Sequence, residues 1–220
     1  MKLLLTSAGL ANNSIIKALQ ELAIKPFSEL KIAFIPTASN LEPGDKQDWF
    51  IADLEKLKEL KFNSIDIVDI SALPKEIWLT RLKEVDIIYV EGGNTYHLMY
   101  WLNQSGLSEL FPELLKTKIY VGVSAGTMVV TPSILNSTAE RPMVKEIGEI
   151  VYDDGLGFVN FMITPHINNS WFPKTTFQNL ELESKKYPHP IYALDDNSAI
   201  KVDGDKIEII SEGVWKLFEK

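Results

Sequence analysis

The 220-residue chain contains no cysteine, which removes disulfides, thiolate nucleophiles and cysteine-based metal sites. Covalent chemistry would therefore fall to an oxygen or amine nucleophile. Histidine is nearly as scarce: His97, His166 and His189 are scattered without short ligand spacing, and no metal site or cofactor is indicated. Arginine occurs only twice, at Arg81 and Arg141, and there is no Lys/Arg-rich run. With a formal net charge of −8, the chain has no general grip on a phosphate backbone, so nucleic acid is not an expected partner. Long apolar runs are also missing. The apolar start Met1 to Leu5 soon gives way to Gly9, Asn12 and Asn13, which reads as a first core strand, not a signal peptide or membrane span. The expected location is the cytoplasm, with no membrane contact. No linker, repeat or low-complexity tract divides the sequence, so one domain over residues 1–220 is expected. A homodimer is compatible with the pattern, and nothing in it demands one.

What is present is an alternation of short apolar runs with longer segments of helical period. Strands are predicted at Lys2 to Thr6, Ile32 to Pro36, Ser64 to Ile70, Asp86 to Val90, Lys118 to Val123 and Phe158 to Ile163. Helices are predicted at Asn13 to Ala23, Lys46 to Leu60, Lys75 to Leu82, Thr95 to Asn103 and Leu107 to Lys116. Such alternation implies βαβ units and a mostly parallel α/β sheet with helices on both faces. From Thr131 to Gly157 the signals weaken, leaving open a loop over the site, a small hairpin or an interface. A helix from Phe172 to Lys186 and runs at Ile191 to Leu194 and Ser198 to Val202 follow. Asp203-Gly204-Asp205 marks a turn into Lys206 to Ile210, a C-terminal hairpin.

The most informative stretch is Gly122-Val123-Ser124-Ala125-Gly126, a G-x-S-x-G pentapeptide between the strand Lys118 to Val121 and a segment able to open a helix. Strand, sharp turn and helix are the context of a nucleophile elbow. A serine needs a base, and His166 follows a strand at Thr164-Pro165-His166, the end of a parallel sheet where ligands bind. His97 reads as a partly buried helix residue and His189, between Pro188 and Pro190, as a solvated loop residue. A carboxylate should orient the imidazole. The strand end Leu194-Asp195-Asp196 offers two, and Glu140, Asp153 and Asp154 are rivals. Gly92-Gly93-Asn94 follows Glu91 at another strand end and opens a helix, so N–H groups of Gly92 or Gly93, with that of Ala125, could hold an oxyanion. Asn94 suits a helix cap as well as a substrate contact.

With these residues in place, the chain resembles the peptidase E family of aspartyl dipeptidases, which is also similar to the cyanophycinases. The resemblance rests on Glu91-Gly92-Gly93-Asn94-Thr95, Gly122-Val123-Ser124-Ala125-Gly126-Thr127, Pro165-His166 and Leu194 to Ile200, and spans nearly the whole chain. It implies a flavodoxin-like fold of the class I glutamine amidotransferase type. The elbow cysteine of those amidotransferases is replaced here by Ser124. It further implies Ser124 as nucleophile, His166 as general base and the acid after Leu194 as its orienter, acting on dipeptides or short peptides. Where the family carries glutamate and glycine, this chain has Asp196 and Asn197. The shorter side chain must come closer through the backbone, and Asp195 is the substitute. Recognition of an N-terminal aspartyl group asks for a cation. Arg141 could reach the site, and a surface role suits it equally. Two rivals stand beside the peptidase: an esterase or amidase using Asp153 or Asp154 with His166 or His189, and a catalytically silent binder of a small carboxylated ligand or a protein.

Overall fold

The computed structural model describes residues 1–44, 47–144 and 148–220. Five strands run parallel: β1 (Lys2–Thr6), β2 (Lys31–Ile35), β3 (Ser64–Ile67), β4 (Ile87–Val90) and β5 (Ile119–Val123). Their spatial order is β1-β5-β4-β2-β3. Strands β2 to β5 follow the first four places of a flavodoxin-like sheet, and β1 fills the place of the fifth. Helices α1 (Asn13–Ala23), α2 (Asp48–Glu59), α3 (Lys75–Glu84), α4 (Thr95–Gln104) and α5 (Leu107–Leu114) connect them. The predicted helix from Lys46 to Leu60 corresponds to α2, and its first residue, Lys46, lies outside the described residues.

Period-two alternation sorts each strand between two cores. Leu4, Ile32, Phe34, Ile87, Tyr89, Val121 and Val123 face one side, where Ile15, Leu19 and Leu22 of α1 and Leu57 of α2 cover them. Leu3, Leu5, Ala33, Ile35, Ile88, Val90 and Tyr120 face the other, under Trp78 and Leu82 of α3, Leu98 and Leu102 of α4 and Phe111 of α5. Each fully buried leucine, isoleucine or valine contributes roughly 1.5–3 kcal/mol. Both faces must be covered because the strands are apolar on both.

After β5 come the short helix α6 (Ala125–Met128) and the two-residue strands β6 (Met143–Val144) and β7 (Gly148–Glu149), which pair antiparallel. The weakly patterned stretch thus contains a small hairpin. Strand β8 (Met162–Thr164) lies later than the Phe158 to Ile163 prediction. It leaves the main sheet for a second one of order β12-β9-β8, with β9 (Ile191–Leu194) parallel to β8 and β12 (Trp215–Phe218) antiparallel to β9. The C-terminal hairpin β10 (Ser198–Asp203) and β11 (Lys206–Ser211) extends the main sheet antiparallel at β1. Helix α7 (Phe177–Glu183) starts later than predicted. Thr176 is its cap, accepting the Asn179 N–H at 3.2 Å, while Thr175 is spent in loop bonds to Phe172 and Asn168. No helix among the described residues is long and apolar enough to cross a membrane.

Strand β5 and α6 are tied by Tyr120, a fully buried side chain whose hydroxyl donates to the Gly126 carbonyl at 2.6 Å. Tyr120→Phe is expected to lower unfolding free energy by about 1–3 kcal/mol, because the carbonyl is left buried without its donor. Urea unfolding measures this, and a variant with unchanged midpoint and slope would show the bond to be dispensable.

Candidate active site

The backbone after β5 turns so sharply that Ser124 has φ 47 and ψ −104, a conformation that a side-chain-bearing residue holds only when its surroundings force it. The surroundings are specific. The Ser124 N–H donates to the Thr6 carbonyl at 3.1 Å. The Thr127 hydroxyl lies 2.8 Å from both the Thr6 and Gly122 carbonyls. A Cβ on Gly126 would lie 2.1 Å from the Val90 carbonyl oxygen, and one on Gly122 would lie 2.6 Å from the Gly126 oxygen. These close approaches explain both glycines of the pentapeptide.

Three side chains form a hydrogen-bonded series. Ser124 Oγ is 2.8 Å from His166 Nε2, and His166 Nδ1 is 2.6 Å from Asp196 Oδ1. Burial pulls the Asp196 carboxyl upward, but hydrogen bonds from His166, Asn169 and Ser7 outweigh it and hold the group below its usual value. An ionised Asp196 can only accept, so Nδ1 carries the ring proton and Nε2 is left to accept from Ser124. His166 is itself left-handed, at φ 62. Its backbone N–H donates to Ser7 Oγ at 2.8 Å, and Ser7 Oγ donates to Asp196 Oδ1 at 2.9 Å. Phe172 stacks on the imidazole, centroids 4.6 Å apart and planes 9° from parallel.

Asp196 meets His166 because β8 and β9 are paired neighbours and their C-terminal loops stay together, Ile167 N–H donating to Leu194 O at 3.0 Å. Backbone approach therefore supplies the reach that aspartate lacks relative to glutamate. Asp195 points elsewhere, accepting from Ser198 Oγ at 2.6 Å and from the Val214 N–H at 2.8 Å. It closes a turn and has no part in the series.

Beside Ser124 lies the turn after β4. A Cβ on Gly92 would be 3.3 Å from Ser124 Cβ, so this turn and the elbow touch. The Gly92 N–H, however, donates to Oε1 of Glu91 at 2.8 Å. Of the two glycines named from the sequence, Gly92 has its amide occupied. The site opens into a cavity of about 470 Å³, walled by Ser7, Trp49, Asp53, Gly93, Ser124, Met128, His166, Trp171 and Phe172 among others.

Two expected substrate contacts are not brought to this cavity. Asn94 accepts the His97 N–H at 3.0 Å and donates to the Glu140 carbonyl at 2.8 Å, so its side chain is consumed by capping α4 and anchoring a loop. Arg141 pairs with Asp153 at 2.5 Å and lies over the Tyr96 ring, 4.7 Å from its centroid. Arg81 pairs with Asp66 at 3.2 Å. His97 packs edge-on to Trp101, and neither it, His189, Asp153 nor Asp154 lines the cavity. Sequence reasoning missed Ser7, Asn169 and Phe172. Ser7 carried a usable signal, as the first residue beyond β1, the parallel neighbour of β5.

On the cavity wall, burial pushes the Asp53 carboxyl up to about 6, against hydrogen bonds with Glu91 and Tyr89 that act to lower it. The folded chain thus holds this proton across a range, from 3.8 to about 6, in which the unfolded chain has released it. Stability then falls as pH rises through that window and levels off above it. Asp53→Asn is expected to gain on the parent chain between pH 4 and 7 in paired urea unfolding curves. A difference independent of pH would remove Asp53 from this role.

Residues 3–210 match the sequence model of Peptidase family S51. An uncharacterized peptidase of Listeria monocytogenes, Lmo0363, is 29% identical over 80% of this chain and 83% of its own. Peptidase E of Nostoc sp. is 27% identical over 99% of this chain and 88% of its own. A crystal structure of a candidate peptidase E from Listeria monocytogenes superposes with a TM-score of 0.78 at 24% identity, covering 96% of this chain and 98% of that one. That likeness is one of fold, a mostly parallel sheet flanked by helices. The match along nearly the whole length, over the stretch that contains the elbow, the Gly-Gly-Asn turn and His166, places this chain in peptidase family S51.

Proposed function

We propose that the protein is a serine peptidase that hydrolyses dipeptides or other short peptides. The observation that carries the proposal is the unbroken series Ser124 Oγ, His166 Nε2, His166 Nδ1, Asp196 Oδ1, with links of 2.8 and 2.6 Å, at the wall of a cavity. Ser124 attacks the scissile carbonyl while Nε2 takes its proton and passes it to the leaving amine. Asp196 holds the tautomer and stabilises the imidazolium. Water then enters and His166 activates it to release the acyl group from Ser124. The tetrahedral oxyanion is held by N–H groups of Gly93 and Ala125, since that of Gly92 is engaged.

A pocket of this size is on the scale of small ligands, which supports short substrates. Neither arginine lines it, so an N-terminal aspartate is not part of the proposal. No observation favours the esterase arrangement, because Asp153 is spent on Arg141 and on loop bonds away from His166.

Incubation with a fluorophosphonate followed by digestion is expected to place the adduct on Ser124. A dipeptide library should be turned over by the parent chain and not by Ser124→Ala. A folded parent chain that neither labels nor cleaves would refute the proposal. Asp196→Asn is expected to reduce kcat by up to about 10⁴-fold, by releasing the tautomer. Near-normal turnover in that variant would assign the orienting role to another group.

A further inference from the structure

Glu91 takes no part in the chemistry proposed above, yet it is fully buried directly before the glycine turn. Its Oε1 accepts the Gly92 N–H at 2.8 Å, while Oε2 meets no hydrogen-bond donor among the described residues. An ionised carboxylate so placed would carry an unsatisfied charge in the interior. Protonation removes that charge, and the neutral carboxyl can donate to Asp53. Burial first, and the charge of Asp53 next, push Glu91 well above the usual carboxylate range. On its other side Asp53 is hydrogen-bonded with Tyr89, whose hydroxyl burial also pushes up. Glu91 is thus a neutral acid with one free acceptor, and that acceptor is used on the turn.

The same turn has a second tether. Ser39 Oγ donates to the Gly92 carbonyl at 2.9 Å. In a planar trans peptide the N–H points opposite to the C=O. Anchoring the Gly92 carbonyl on Ser39 therefore aims the Gly93 N–H away from Ser39. The Asn94 N–H donates to the Ala38 carbonyl at 2.9 Å, and a Cβ on Gly93 would lie 2.4 Å from that same oxygen. The peptide between Gly92 and Gly93 is held from both ends with little room to rotate.

We infer that Glu91 and Ser39 are positioning residues, which orient the Gly92–Gly93 peptide so that the Gly93 N–H is presented to the carbonyl oxygen under attack by Ser124. The inference rests on the serine-peptidase reading and names what aligns its oxyanion donor. It also explains why a carboxyl can stand in the interior here. As a neutral acid, Glu91 does the work of an amide, accepting from Gly92 and donating toward Asp53.

Three variants test it, each assayed on the dipeptide that the parent chain cleaves best and against the matching peptide aldehyde, whose adduct carries its oxygen where the oxyanion would lie. Glu91→Met keeps the length and loses the acceptor. It should reduce kcat by about 10- to 100-fold, leave KM within about threefold, and weaken the aldehyde in parallel with kcat. Glu91→Gln keeps an acceptor and a donor and should restore both to within about threefold of the parent chain. Ser39→Ala should show the same pattern as Glu91→Met, and it carries the test alone should that variant not fold. An unchanged kcat, a loss confined to KM, or a glutamine variant as impaired as the methionine one would overturn the inference. A parent chain that labels and cleaves while these variants match it overturns this inference alone. A parent chain that does neither overturns the peptidase reading and this inference with it.

Discussion

The site depends on one steric fact: the carbonyl oxygen of Val90 occupies the space that a side chain at position 126 would need. Strands β4 and β5 are parallel neighbours, so the turns that follow them emerge side by side. Close packing at Gly126 draws the start of α6 down onto the end of β4. This brings the Gly92 turn against Ser124 and forces the serine backbone into its left-handed, strained conformation. The strain is sustained by bonds around it, from Ser124 N–H to Thr6 and from Thr127 to Thr6 and Gly122, all within the buried end of the main sheet. Ser124 is thereby held from its neighbours on every side, without help from its own hydroxyl.

His166 and Asp196 follow strands of a different sheet, and Ser7 joins the two sheets. It is the residue after β1, and its Oγ contacts both the His166 backbone and the Asp196 carboxylate. The imidazole is then constrained at both nitrogens by Ser124 and Asp196 and across its face by Phe172. A ring fixed at two edge points and one face has no free rotation left. The two sheets therefore meet through side chains, and a shift of β8 against β1 would be felt at His166 first.

Much of this was legible in the sequence because it is local. Alternating apolar runs located the five parallel strands, with ends within one residue except that β3 stops at Ile67 and not Ile70, and Gly122 to Gly126 carries its close approaches as two missing side chains. His166 and Asp196 could be named because each follows an apolar run, the property that puts residues at a sheet's ligand-binding end. What escaped was non-local. That β8 and β9 pair in a sheet of their own is a non-local fact, and β12 on the far edge of β9 is a four-residue strand interrupted by Lys216 that carries no periodic signal. That Asp195 closes a turn while Asp196 meets the histidine depends on Val214, 19 residues further on. Asn94 and Arg141 were polar groups near a glycine turn and an elbow. Only their partners, His97, Glu140 and Asp153, show that their side chains are already spent.

Glu91 makes the same point from the other direction. As a charged residue beside a glycine pair it would ordinarily be assigned to solvent or substrate. Its burial reverses that assignment, because an acid that cannot ionise behaves as a hydrogen-bonding spacer. The neighbouring Asp53 makes this stable, since two carboxyls this close cannot both be charged in a low-dielectric interior, and the more buried of the two keeps the proton. The same pairing puts the remaining charge on Asp53, at the cavity wall, where solvent can reach it. Negative charge is thus kept one step back from the turn next to Ser124, where it would oppose an oxyanion.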